Sequence, residues 1–253
     1  MQTMKSVVLR EQGGPEVLKL EEIERPSPKA HEVLVAIEAV AVNHLDIWVR
    51  KGGPAFRLDY PHRLGSEIAG TIAELGSEVG EDLSVGSKVV VNPGLSCGHC
   101  GQCLSGRDNL CRHYQILGES CQGGYAEYIC VPRQNIVPYP GDLSFEEAAA
   151  SLLTFLTAWQ MLVHKAQVKP GQTVLVQGAG SGPGGTVLFM PQPLKTLPPP
   201  PAREELGDYI VSENKYVTHG RGRREPISLY AWSGGDIWSR ADGLRGSCFP
   251  AQV

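Results

Sequence analysis

Short apolar runs separated by glycine and proline dominate the first half of the chain. The runs are rich in β-branched residues, have the length of strands and are bounded by turn residues, which predicts a β-barrel or β-sandwich. The predicted strands cover 5–10, 15–23, 31–42, 67–75, 87–93 and 124–132. After the third of these, NHLDIWVRKG predicts one short helix, which ends where glycines follow Lys51.

Helical spacing replaces this pattern from Leu143 onward. The segment LSFEEAAASLLTFLTAWQMLVHKAQ predicts a helix that opens with a capping box, formed by Ser144 and Glu147. A turn at Lys169 to Gly171 then leads into TVLVQGAG, a continuous apolar run typical of a strand buried in a parallel sheet. Helix, turn, strand and glycine-rich loop together predict the start of a βαβ unit.

Proline limits the helix that should follow the glycine-rich loop. Pro183 is compatible with a first helical turn. Pro191 and Pro193 would each cost a helix interior about 3 kcal/mol. The run from Pro198 to Pro201 predicts a polyproline-like segment. Neither the helical nor the strand periodicity of apolar residues persists after it. We therefore expect residues 186–253 to be a divergent, poorly ordered tail.

Composition and charge exclude several classes of function. The net charge of −4 argues against a nucleic-acid or anionic-membrane partner. No apolar stretch approaches the roughly 20 residues that a membrane span requires. The first residues lack the apolar segment and cleavage site of a signal peptide. We therefore expect a cytoplasmic protein whose 7 cysteines are reduced thiols or metal ligands.

The strongest chemical signal is CGHCGQCLSGRDNLC, which contains Cys97, Cys100, Cys103 and Cys111. Two-residue gaps let successive thiolates face one ion, and the longer gap brings back a fourth, so we predict a structural zinc site. An iron–sulfur cluster and four surface thiols without metal are the alternatives. The remaining thiols and the two nearby imidazoles are expected not to bind metal: Cys121, Cys130, Cys248, His99 and His113.

The chain resembles the medium-chain dehydrogenase/reductase superfamily, specifically its zinc-containing alcohol dehydrogenase and quinone oxidoreductase branches. The motifs that carry the resemblance are NHLDIWVRKG, HRLGSEIAGTIAELG, VGSKVVVNPGLSCGHCGQCLSGRDNLC, GGYAEYICVP, LSFEEAAASLLTFLTAW and PGQTVLVQGAGSG. The resemblance implies an α/β plus β fold. A GroES-like β-barrel domain would span 1–140 with its zinc lobe at about 92–115, and an incomplete Rossmann domain would span 141–185.

The resemblance also implies where catalysis occurs. The ligand positions of the family's catalytic zinc correspond to Asn43, Ser66 and a residue near Leu153, which are poor zinc ligands, so we predict no catalytic zinc. Hydride would then pass between the nicotinamide and a carbonyl, alcohol, quinone or enone substrate, as in the quinone-reductase-like branch. The candidate catalytic residues are Asn43, Asp46, Ser66 and Glu67. Asn43 would orient a substrate carbonyl, and Ser66 would donate to developing oxyanion charge.

A structural role is an open alternative for each of these four residues. Asp46 would only cap the short helix, and Glu67 would be a structural carboxylate paired with Arg50 or Arg63. His44 and His62 are expected to be structural.

The family's dinucleotide site corresponds to the glycine-rich loop, whose backbone N–H groups favour a pyrophosphate. The candidate contacts with NAD(P)H are Thr157, Gly178, Gly180, Ser181, Gly182 and Gly184. Pro183 removes one donor from this loop, and the later strands of a Rossmann domain are not recognisable in the sequence. A second hypothesis is therefore a truncated, inactive GroES-like zinc-binding domain. The expected partner is a small-molecule carbonyl or quinone, and a homo-oligomer is left open.

Overall fold

The computed structural model describes residues 2–169, 174–176, 209–211, 217–219, 229–232 and 248–249. The chain divides into two compact units, residues 1–153 and 154–253. The domain boundaries predicted at residues 140 and 185 remain predictions. Within the described residues, no helix combines the length and the apolar character that crossing a membrane requires.

The first unit is built on a five-stranded antiparallel sheet. Its strand order is β8-β3-β4-β5-β9, and two small antiparallel pairs, β1-β2 and β6-β7, accompany it. The strands are β1 (Thr3–Val8), β2 (Lys19–Glu24), β3 (Glu32–Ala41), β4 (Glu67–Leu75), β5 (Lys88–Val91), β6 (Gly94–Leu95), β7 (Gln115–Ile116), β8 (Tyr128–Pro132) and β9 (Ile136–Pro138). Two register irregularities between β3 and β4 bend the sheet. The six strands predicted from the hydrophobic pattern are all present.

Alternation along the strands determines which side chains form the core. One face of the sheet supplies the main apolar cluster: Val33, Val35, Ile68, Ile72, Val89, Val91, Leu117, Ile129, Val131 and Ile136. The opposite face carries Ala69 and Val90, and the buried Ala148 and Ala149 pack against them. The small side chains on this second face let a helix approach the sheet closely, so both faces are covered near the start of β4.

The helices of the first unit are short. They are α1 (His44–Lys51), α2 (Gly101–Leu104) and α3 (Phe145–Ala150). In α3 the predicted capping box is confirmed, because Ser144 Oγ accepts from the Glu147 N–H at 3.2 Å and Glu147 Oε2 accepts from the Ser144 N–H at 2.8 Å. The α1 helix ends at Gly52, whose N–H donates to the Trp48 carbonyl.

The single helix expected over 143–167 is divided. It ends at Ser151, whose hydroxyl donates to the Ala148 carbonyl at 2.8 Å and competes with the next helical hydrogen bond. The chain then forms α4 (Leu153–Trp159) and a π-helical turn (Gln160–Lys165). The helical conformation predicted from the periodicity is therefore present, but the hydrogen bond from the Ser151 hydroxyl interrupts the helix.

The second unit contains another five-stranded sheet, with order β12-β11-β10-β13-β14. These strands are β10 (Val174–Val176), β11 (Tyr209–Val211), β12 (Val217–His219), β13 (Leu229–Trp232) and β14 (Cys248–Phe249). β10 pairs in parallel with both β11 and β13, which confirms the parallel environment predicted for TVLVQ. The other four strands lie within residues 186–253, and runs of two to four residues are too short to carry a recognisable period.

Candidate metal centre and candidate active-site residues

Four thiols converge in the lobe between β6 and β7. Cys97 follows β6, Cys100 precedes α2, Cys103 lies within α2, and Cys111 follows the 3₁₀ turn Asp108–Leu110. All four Sγ atoms lie within 4.8 Å of one another. The Sγ–Sγ distances are 3.4 Å for Cys100–Cys103, 3.6 Å for Cys97–Cys111, 3.8 Å for Cys97–Cys103 and 3.9 Å for Cys100–Cys111.

This donor set fits a single tetrahedral zinc ion. A Zn–S bond of about 2.3 Å requires sulfur–sulfur edges of about 3.8 Å, close to the distances observed. All four cysteines are free thiols. Among the residues that the structure describes, no other group of three or more histidine, cysteine or acidic ligands has this geometry. His99 and His113 are exposed and do not belong to the group.

Backbone N–H groups favour the thiolate form of two of these cysteines. The N–H and the thiol of Cys103 lower the pKa of Cys100 to about 6. The N–H of Cys97 and that of His113, which lies 3.3 Å from the sulfur, lower the pKa of Cys111. Burial raises the pKa of Cys103 to about 11. Because the thiolate is the metal-binding form, the lobe favours metal binding at Cys100 and Cys111.

A second polar group forms where the start of α1 meets the start of β4. Glu67 is 2% exposed, and its two carboxylate oxygens accept from different segments. Oε2 accepts from Asn43 Nδ2 at 2.7 Å, and Oε1 accepts from the Leu153 N–H at 2.5 Å. The carboxylate therefore joins the start of α1, through Asn43, to the start of α4, through Leu153.

Asp46 has the geometry of a structural carboxylate. Its Oδ2 accepts from the Asn43 N–H at 2.7 Å, which caps α1, and its Oδ1 accepts from the Gly65 N–H at 2.9 Å. Burial raises the pKa of Asp46. The two backbone hydrogen bonds and one with the Tyr125 hydroxyl act in the opposite direction, because they stabilise the carboxylate. Tyr125 is not recognisable as part of this group from the sequence, because a tyrosine in a strand-like motif gives no sign of a distant partner.

Ser66 is completely buried, and its hydroxyl donates to the Leu117 carbonyl at 2.7 Å. The backbones approach closely here: Gly118 has φ +76°, and a Cβ on it would lie 2.6 Å from the Gly65 nitrogen. Only glycine suits both conditions. A role for Ser66 as an oxyanion donor would therefore require its bond to Leu117 to be exchanged for one to substrate.

His62 is 2% exposed, and its Nε2 lies 3.2 Å from the Gly118 carbonyl. Burial lowers its pKa below the usual value of 6.5. As the pH falls, His62 is therefore protonated in the unfolded chain before it is protonated in the folded one. The contribution of the neutral, buried imidazole to stability is complete above pH 6.5 and is lost as the pH falls towards the folded-state pKa.

We expect His62→Gln to reduce the fall in the urea-unfolding midpoint between pH 7.5 and pH 5. An identical pH dependence in both proteins would contradict this prediction.

The candidate cofactor residues are only partly described. Thr157 lies in α4 and is half-buried. The glycine-rich loop with Gly178, Gly180, Ser181, Gly182 and Gly184 lies outside the described residues. Their assignment to NAD(P)H remains a prediction.

Comparison with known sequences identifies the family. A model described as the alcohol dehydrogenase GroES-like domain matches residues 29–141. The chain is 35% identical over 251 residues to the NAD-dependent alcohol dehydrogenase of Sulfurisphaera tokodaii, covering 89% of this chain and 71% of that protein. It is 36% identical over 180 residues to the L-galactonate-5-dehydrogenase of Escherichia coli, covering 71% and 51%. Against the quinone oxidoreductase of Lama guanicoe it is 31% identical over 182 residues, covering 72% and 47%. The chain spans about half the length of the last two relatives.

Solved structures agree with the sequence relatives. A crystal structure of an NAD-dependent alcohol dehydrogenase is similar with a TM-score of 0.71 and 47% identity, covering 83% of this chain and 57% of that one. The cobalt- and zinc-bound thermostable alcohol dehydrogenase of Pyrobaculum aerophilum has a TM-score of 0.68 and 36% identity, covering 83% and 58%. The resemblance inferred from the motifs is confirmed, and the chain belongs to the medium-chain alcohol dehydrogenase and quinone oxidoreductase family.

Proposed function

We propose that this protein is an oxidoreductase that transfers hydride between a nicotinamide dinucleotide and a small-molecule carbonyl, alcohol, quinone or enone. We further propose that it uses a structural zinc and no catalytic zinc. The family supports the reaction class. Two observations carry the second part. Asn43, Ser66 and Leu153 offer neither a thiolate nor an imidazole to a metal. The nearby Glu67 carboxylate accepts hydrogen bonds from the Asn43 amide and the Leu153 N–H.

The structural zinc would be held by Cys97, Cys100, Cys103 and Cys111. When bound, the ion supplies no redox or Lewis-acid chemistry but holds together the segments that provide the four sulfurs. Their separations of 3.4–3.9 Å support this assignment over unrelated surface thiols.

Asn43 is the residue that we propose to contact substrate. It is half-buried, and its bond to Glu67 uses one amide hydrogen and fixes the orientation of the side chain. A second amide hydrogen is available to a substrate carbonyl oxygen, on which negative charge develops as hydride arrives. Glu67 is then a positioning residue for Asn43, and Asp46 maintains the start of α1. We propose that Thr157 and the glycine-rich loop contact the nicotinamide dinucleotide.

The second candidate is a GroES-like zinc-binding protein without dinucleotide binding. Pro191 and Pro193 favour it, because proline is poorly compatible with the interior of the helix that in the family follows the glycine-rich loop. In that case the metal lobe would be intact while the nicotinamide site would be incomplete.

One set of measurements separates the two candidates. The purified chain is titrated with NADH and NADPH, nicotinamide fluorescence is recorded, turnover is assayed with a quinone and an aldehyde, and zinc is measured by mass spectrometry. We expect one zinc per chain, saturable dinucleotide binding and turnover. A second tightly bound zinc would contradict the absence of a catalytic metal. One zinc without dinucleotide binding would establish the second candidate instead.

A further inference from the structure

A 3₁₀ turn outside the cysteine motif supports the metal lobe. This turn, Arg133–Asn135, connects β8 to β9 and is distant in sequence from the four cysteines. Its side chains hydrogen-bond to the segment 92–96, which leads directly into Cys97. The position of the first cysteine therefore depends on a turn that connects two strands of the main sheet.

Asn135 holds the beginning of that segment. It is 1% exposed, and its Nδ2 donates to the carbonyls of Asn92 and Gly94, each at 2.8 Å. Its own carbonyl accepts from the Asn92 N–H at 2.8 Å. Three bonds from one residue leave the backbone of this segment little freedom.

Gln134 hydrogen-bonds to the residue before Cys97 and lies beside the residue after it. Its Nε2 donates to the Ser96 carbonyl at 3.2 Å. Its Oε1 lies 3.3 Å from the position that a Cβ on Gly98 would occupy, so the amide extends alongside the first cysteine. The Ser96 hydroxyl in turn hydrogen-bonds to the sulfur of Cys103. One exposed glutamine is thus connected to two of the four sulfurs.

Open space adjoins these hydrogen bonds. A cavity of about 240 Å³ lies between the lobe and the 3₁₀ turn. Cys103 and Asp108 line it from the lobe, and Gln134 and Asn135 line it from the turn. The lobe is therefore not packed solidly against the sheet at this point. Because the Cys97 sulfur lies within 3.8 Å of the sulfurs of Cys103 and Cys111, its displacement would distort these two edges of the sulfur tetrahedron and the edge to Cys100.

We propose that Gln134 and Asn135 are positioning residues for the tetrathiolate site, and that they slow metal loss by holding the segment that leads into Cys97. The inference rests on the structural zinc proposed above. Zinc–ligand distances tolerate deviations of only about 0.2 Å. Residues that orient metal ligands typically change metal affinity by about 10- to 100-fold. The exposed Gln134 bond is worth less, about three- to tenfold, as expected for a neutral hydrogen bond.

Two variants and a matched control test the proposal on the full-length chain. Zinc transfer to a chromogenic chelator is timed for the original protein, Gln134→Ala, Asn135→Asp and Gln122→Ala. Gln122 is the control because its Nε2 also donates to a main-chain carbonyl, that of Pro61 at 3.0 Å, but away from the lobe. The Co²⁺-substituted proteins are compared by their d–d absorption, which reports tetrahedral thiolate geometry and is insensitive to overall stability.

We expect zinc loss to be about three- to tenfold faster for Gln134→Ala and at least tenfold faster for Asn135→Asp. The cobalt spectra of both variants should differ from that of the original protein. Gln122→Ala should match the original protein in zinc loss and in cobalt spectrum. Since Gln134 is exposed, its alanine variant is expected to fold even if Asn135→Asp does not. Equal rates for Gln134→Ala and the original protein, or equal acceleration in the control, would overturn the inference. If the original protein holds no zinc, the proposed metal site itself fails.

Discussion

Replacing Cys111 by serine is expected to lower zinc affinity by more than about 100-fold. A serine hydroxyl is harder than a thiolate and does not deprotonate at neutral pH, so a three-sulfur site remains. The loss should exceed the 10- to 100-fold effect of removing a residue that only orients a ligand. Because a structural zinc also contributes to folding stability, the melting temperature should fall, and excess zinc should restore little of it.

Cys130→Ser is the matched control for this experiment. Cys130 lies on β8 outside the metal group, and burial raises the pKa of its thiol to about 11. Its replacement is expected to leave zinc content at one equivalent and zinc affinity unchanged. Zinc content by mass spectrometry and affinity by chelator competition provide the readouts. Retention of one tightly bound zinc in Cys111→Ser would remove the basis for the tetrathiolate assignment.

Replacing Glu67 by alanine is expected to destabilise the fold by about 3 kcal/mol. The substitution leaves two donors without their present acceptor, the Asn43 amide and the Leu153 N–H, and each unsatisfied buried donor costs about 1–3 kcal/mol. Turnover should fall about 100-fold as well, since Asn43 would no longer be held in one orientation. Urea unfolding and steady-state kinetics measure the two effects separately.

Glu74→Ala is the matched control, because Glu74 lies on the same strand and its side chain is 45% exposed beside Arg25. An exposed ion pair contributes about 0–1 kcal/mol, so this variant should be nearly as stable as the original protein and fully active. Equal destabilisation by the two substitutions would contradict the buried role of Glu67. The conservative Glu67→Gln retains one acceptor and should restore part of the stability but little of the turnover.

The candidate site was predictable from sequence to different degrees in its two parts. The cysteines of the lobe lie within one short motif, so their spacing alone predicted the group that the structure brings together. The roles of Asn43, Asp46, Ser66 and Glu67 were left open between catalysis and structure. The structure assigns Asp46 to helix capping and gives Ser66 a buried partner in Leu117, neither of which the local sequence specifies.

The amino-acid sequence by itself determined the strands of the barrel, the capped start of α3 and the group of four cysteines, because each depends on residues close together in the chain. Only the tertiary structure decided that Glu67 connects Asn43 to Leu153 and that Gln134 and Asn135 support the metal lobe. These contacts join residues far apart in the sequence. No periodicity or spacing constrains them, so they are established when the strands pair and α3 covers the sheet.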